Sequence, residues 1–148
     1  MAEDKLNFEN TVELSFSSIK ENVAAARLLA ASLSSQIGFT ISDIEEIKVA
    51  VSEGVSNAIV HGYGEDPKSM VYMEFKVSPE YLTIRIEDKG CGISDIKRAM
   101  EPTFSTVSER MGLGFVFMQT FMDEFQVETA PGEGTILYMK KYTVAHED

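Results

Sequence analysis

SDIEEIKVAVSEGVSNAIVHGY, residues 42–63, decides how the rest of the chain is read. Ser42 with Glu45 three residues later has the form of a capping box, and Ile44, Ile47, Val51, Val55 and Ile59 recur at steps of three and four. That pattern predicts one helix with one buried stripe. Glu53, Asn57 and His61 follow each other at four-residue steps, so they line up along the axis beside the stripe, where polar side chains end up half buried. An amide held away from water without a partner costs about 1–3 kcal/mol, and Asn57 therefore needs one. Its neutral carbonyl oxygen suits Mg²⁺ when phosphates and water fill the other positions. Glu53, one turn earlier, is a candidate base toward a hydroxyl or a water. The plainer role, in which both residues only satisfy loop backbone, is the commoner one for so short a motif. His61 reads as a helix-end group.

The chain has 148 residues, 44% of them hydrophobic, which predicts one domain with a proper core. Its formal net charge of −11 repels phosphate backbones and speaks against direct binding of nucleic acid; solubility or a basic protein partner accounts for it. No stretch approaches a membrane span, and the opening MAEDKLNFEN is acidic and polar where a signal peptide is basic and then apolar, so a cytoplasmic protein is expected. The single Cys91 excludes an internal disulfide and a cysteine-rich zinc site.

Residues 11–16 alternate and predict a strand with Val12, Leu14 and Phe16 on one face. Ile19, Val23, Ala26, Ala30, Leu33 and Ile37 mark a helix over residues 18–36, ended by Gly38. Arg27 lies beside this stripe, where an arginine usually reaches into solvent. Residues 70–77 and 81–88 alternate as two strands of a hairpin, with Leu82, Ile84 and Ile86 on one face. The second strand runs into Asp88-Lys-Gly90-Cys-Gly92. Glycines there let a flat ligand approach the backbone, and the acceptor-only Asp88 suits the amine of adenine and disfavours guanine. An ordinary Asx-Gly turn has the same sequence. A short helix over residues 94–100 and a loop over 101–110 are expected next. Gly112-Leu-Gly114 then reads as the opening of a helix running to about residue 123, whose free N–H groups and dipole suit phosphate. Arg110 stands just before it as a charge-assisted donor. Residues 125–129 and 135–141 read as closing strands around a PGEG turn.

In this order, Glu53/Asn57, Asp88-x-Gly90-x-Gly92, Gly112-x-Gly114 and Gly134-Thr135 resemble the four nucleotide-binding boxes of the GHKL (Bergerat) ATPase superfamily. VSEGVSNAIVHGY, EDKGCGI, EPTFST and MGLGFVFMQTFMDE are similar to blocks of the anti-sigma factors that are serine protein kinases, most of all their sporulation branch. The resemblance implies an α+β fold, a two-layer sandwich with helices on one face of a mixed, mostly antiparallel sheet, and ATP and Mg²⁺ as cofactors. It implies that Asn57 binds Mg²⁺, that Glu53 acts as base toward a substrate serine, and that Asp88, with Gly90 and Gly92, reads adenine. Gly112, Gly114 and Thr135 join the nucleotide site, with Arg110 near the terminal phosphate and Arg27 on a partner surface. A sigma factor, an anti-anti-sigma protein phosphorylated on serine and a second copy of the chain are the implied partners. The segment between Phe104 and Gly112 is shorter than in the sporulation members and has Val107 where lysine is usual. This departure keeps open a nucleotide-gated binding module with little kinase activity. A histidine-kinase-type ATPase domain is the other alternative, against which stand the mere two histidines, His61 and His146, and the absence of a preceding acceptor helix.

Overall fold

The computed structural model describes residues 8–93 and 107–144, with the backbone alone over 107–113. The short helix expected over 94–100 and residues 101–106 of the expected loop lie outside the described residues.

Alternation builds the sheet. In β2 (Met70–Ser78) Val71, Met73, Phe75 and Val77 are buried, and in β3 (Tyr81–Asp88) so are Leu82, Ile84, Ile86 and, in the same phase, Asp88. β1 (Asn10–Ser17) runs antiparallel to β2 with Val12 opposite Phe75 and Leu14 opposite Met73, so its apolar residues share that face. β4 (Glu124–Ala130) and β5 (Gly134–Tyr142) form the last hairpin, and β5 pairs with β3. The strand order is β1-β2-β3-β5-β4. Among the described residues every pairing is antiparallel, and no parallel pair of the expected mixed sheet occurs.

Among the described residues three α-helices accompany it. α1 (Asn22–Ser34) turns Ala26, Ala30 and Leu33 inward; α2 (Ile41–Ser56) buries Ile47, Val51 and Val55; α3 (Val107–Phe121) buries Phe115 and Met118. These side chains form one core with the inward rows of the strands, the layered arrangement expected of an α+β sandwich. The Lys141 ammonium ties the layers at one end, donating to the Phe121 carbonyl at the close of α3 (2.6 Å) and to Glu46 of α2 (3.2 Å). No helix among the described residues is long and apolar enough to cross a membrane.

The central helix departs from its sequence pattern at both ends. The cap is Thr40, two residues before Ser42: its hydroxyl accepts the Asp43 N–H at 3.0 Å, and the Asp43 carboxylate accepts the Thr40 N–H at 2.9 Å. Glu45 instead pairs with Lys48 at 3.1 Å. Both frames fit the capping-box pattern, and the earlier one puts Phe39 and Ile44 in the staple positions around the cap. At the other end the α-helix stops at Ser56, and Asn57–Gly62 is a π-helix, with the Tyr63 N–H reaching the Ala58 carbonyl at 3.0 Å. Insertions of this kind are frequent at functional sites.

Candidate functional site

Two corners of the helix–sheet junction collect the residues singled out in the sequence. The first surrounds Asp88, the last residue of β3, paired with Thr135 of β5. The Asp88 carboxylate is buried and accepts the Gly90 N–H at 2.9 Å. Burial pushes its pKa up to about 6; the N–H groups of Gly90 and Thr135 pull back against that rise, and the nearby Glu87 charge adds to it. The backbone closes around this carboxylate to a degree that only glycine allows. A Cβ on Gly62 would stand 2.6 Å from the Asp88 carboxyl carbon, and one on Gly90 would stand 1.9 Å from the Gly62 carbonyl oxygen. The Cys91 N–H bonds that carbonyl at 3.0 Å. Gly92 has φ +73 and lies against the Ala130 carbonyl, while the Thr135 hydroxyl shares a 2.9 Å hydrogen bond with that of Thr129. Asp88, Gly90, Gly92 and Thr135 are thus brought together.

The second corner lies between α2 and α3. Asn57 is 6% exposed, and its Oδ1 is buried without a hydrogen-bond partner. Glu53, half buried, lies one turn before it and faces Gly114, where a Cβ would stand 3.0 Å from Oε1. The space bounded by Glu53, Asn57, His61, Gly114 and Met118 amounts to about 30 Å³, enough for a water or two and far too little for a triphosphate. Larger cavities open elsewhere, one of about 460 Å³ among Glu74, Arg85 and Glu87, and one of about 260 Å³ beside the first corner, lined by Asp88, Thr129, Gly134 and Thr135 together with Glu87 and Glu128. The π-helix joins the two corners, starting at Asn57 and ending at Gly62.

Two expectations need correction. Gly112 and Gly114 do not open a helix: α3 already begins at Val107, so both glycines are interior to it and their N–H groups are not presented at its end. Each interior glycine costs about 1 kcal/mol relative to alanine, and burial of Phe115 and Met118 outweighs that cost. Arg110 accordingly belongs to the first turn of α3 rather than to a loop. Arg27 stands apart from both corners. It is half buried, and its guanidinium reaches Ser52 of α2 at 3.3 Å instead of extending freely into water.

The sequence reading missed Gly62, Tyr63 and Thr129. Tyr63 donates its hydroxyl to the Met70 carbonyl at 2.7 Å and accepts the Lys89 N–H at 2.6 Å. Its phenol pKa is raised, chiefly by burial, which keeps the hydroxyl protonated as a donor. The only trace of it in the sequence is a glycine–tyrosine pair closing the helical stripe.

A family model described as a histidine kinase-like ATPase domain matches residues 16–141. The anti-sigma F factor of Thermoanaerobacter sp. (strain X514) is 44% identical over 139 residues, covering 93% of this chain and 96% of that protein. The anti-sigma F factor of Clostridium acetobutylicum is 42% identical over 142 residues, covering 95% and 99%. The chain belongs to the anti-sigma F factor family. Its domain is of the histidine kinase-like ATPase type. The crystal structure of the RsbU and RsbW domains from Mycobacterium tuberculosis superposes with a TM-score of 0.61 at 18% identity, over 89% of this chain and 31% of that one. That likeness bears on the fold alone, and this chain spans about a third of that structure.

Proposed function

We propose that the protein binds Mg·ATP, phosphorylates an anti-anti-sigma protein on serine, and in its other state binds a sigma factor, acting as a homodimer. The carrying observation is the buried, partnerless Oδ1 of Asn57 one turn from the Glu53 carboxylate. A neutral oxygen orphaned at this depth suits a hard cation completed by phosphate and water, so the residues fit Mg²⁺. Asp88, ringed by close backbone, fits a base bearing an exocyclic amine. Asn57 would hold the metal and Asp88 the adenine, with Gly90, Gly92, Gly112, Gly114 and Thr135 along the nucleotide. When bound, ATP supplies the phosphoryl group and Mg²⁺ the charge that offsets its phosphates. Glu53 is the base placed to take the serine hydroxyl proton, Arg110 supplies positive charge toward the terminal phosphate, and Arg27 serves the partner surface. The sigma-binding half of this reading draws on the names of the relatives.

The test is incubation with labelled ATP and a cognate anti-anti-sigma protein. Label should reach a partner serine, and Glu53→Gln should slow transfer by roughly 10²–10⁴-fold, the scale of a general base. Transfer at the wild-type rate in that variant would remove Glu53 from the role. A second reading, nucleotide-gated binding with little phosphotransfer, is favoured by the closeness of Glu53 to α3, where even a Cβ on Gly114 would stand 3.0 Å from the carboxylate. Partner binding that responds to nucleotide while no label is transferred at long times decides for it.

A further inference from the structure

The pairing of β2 with β3 stops at Tyr72 and Glu87, and the next rung of the same parity would join Met70 to Lys89. The Tyr63 hydroxyl occupies that rung instead, donating to the Met70 carbonyl (2.7 Å) and accepting the Lys89 N–H (2.6 Å). It parts the two strands immediately after Asp88 while holding both. The next two amides are held as well, Gly90 by the Asp88 carboxylate and Cys91 by the Gly62 carbonyl. Three successive N–H groups therefore have fixed acceptors, two of them supplied by consecutive residues at the close of the π-helix. The backbone before Asp88 is set by its rung with Thr135, and the backbone after it by Tyr63.

We propose that Tyr63 is a positioning residue for base recognition, its hydroxyl fixing the Lys89 amide and with it the direction in which Asp88 presents its acceptor oxygens to the amine of adenine. The proposal rests on the reading of the site as an ATP site. Tyr63 itself touches protein backbone on both sides of its hydroxyl, and a partnered phenol in this place has a geometric rather than a chemical effect.

The experiment is calorimetric titration of wild type, Tyr63→Phe, Asp88→Asn and Tyr142→Phe with Mg·ATP and Mg·GTP. Tyr63→Phe is expected to bind ATP about tenfold more weakly, the scale of one hydrogen bond, with GTP binding unchanged, so that the preference for adenine narrows by the same factor. Tyr142→Phe loses a hydroxyl bonded to Glu124 at 2.6 Å elsewhere on the sheet and should leave both nucleotides unaffected. Unchanged ATP affinity in Tyr63→Phe, or equal weakening of both nucleotides, overturns the positioning role. If Asp88→Asn loses ATP while Tyr63→Phe keeps it, the positioning role alone fails; if Asp88→Asn also keeps it, the ATP reading fails too. A measurement on wild type needs no variant to fold. Amide exchange at Lys89, Gly90 and Cys91 should be slow before nucleotide is added, and fast exchange there overturns the proposal.

Discussion

The two corners of the site are built in opposite ways. Around Asp88 the chain closes on itself through backbone contacts that admit no side chain at Gly62 or Gly90, and every amide from residue 89 to 91 has its acceptor. Around Asn57 a buried oxygen has no partner, and the neighbouring helix lies over a space of about 30 Å³. The first corner is complete before any ligand arrives; the second is complete only with something added. Under the proposed ATP reading, the base meets a preformed surface and the phosphates meet one that must open. Nucleotide affinity then contains the cost of that opening.

The sharpest way to break this contrast is a methyl group at each corner. Gly90→Ala drives a Cβ to 1.9 Å from the Gly62 carbonyl oxygen, backbone against backbone with nothing flexible to yield. It should cost ~3 kcal/mol and lower Tm by roughly 10 °C in a thermal melt. Next comes Asn57→Ala, which removes the orphaned oxygen. Calorimetry should show Mg·ATP affinity falling roughly 100-fold while the ligand-free Tm holds or rises, because an unsatisfied buried group has gone. A fall in Tm with intact ATP affinity would make Asn57 a structural residue and erase the contrast.

A smaller effect follows from the Asp88 carboxyl, whose folded pKa of about 6 lies above the ordinary 3.8. The folded protein holds this proton more tightly than the unfolded chain does. The group's stabilising contribution is therefore full below about 4 and lost as pH rises through about 6. Asp88→Asn should raise the ligand-free Tm at pH 8 and leave it unmoved at pH 4. ATP affinity of the wild type should run the other way, weakening as pH falls through 6 and the acceptor is protonated. Smallest of all is Gly114→Ala, whose Cβ meets only the Glu53 carboxylate at 3.0 Å, the end of a side chain able to swing aside. Gaining about 1 kcal/mol of helix propensity, this variant should melt at or slightly above the wild-type temperature. It should also bind nucleotide more weakly if α3 has to loosen to admit phosphates.

The legibility of the sequence divides along the same line. Strands and helical stripes were readable because apolar periodicity reports which face is buried: Val71, Met73, Phe75 and Val77 alternate, and Ile47, Val51, Val55 and Ile59 step by turns, and all are buried in the structure. Asp88, Gly90 and Gly92 could be read as one group because they are contiguous. Where two local rules fitted equally well, the sequence could not choose. Thr40 with Asp43 and Ser42 with Glu45 both spell a capping box, and packing of Phe39 at the core selects the first while leaving Ile41 83% exposed. The π-helix leaves no mark on periodicity, since one widened turn shifts the phase only at the end of the pattern. The low helix propensity of Gly112 and Gly114 points to a helix start there, and the burial of Phe115 and Met118 overrides it, so that α3 begins at Val107. Tyr63 was invisible for a further reason: its importance lies in two backbone groups, those of Met70 and Lys89, that no side-chain pattern announces.

One tie at the far end of α3 sets how that helix can respond. Lys141, next to last in β5, grips the last carbonyl of the helix and a carboxylate of α2 at once. With its tail fixed to both β5 and α2, α3 has more freedom to make room beside Glu53 from its start than from its end.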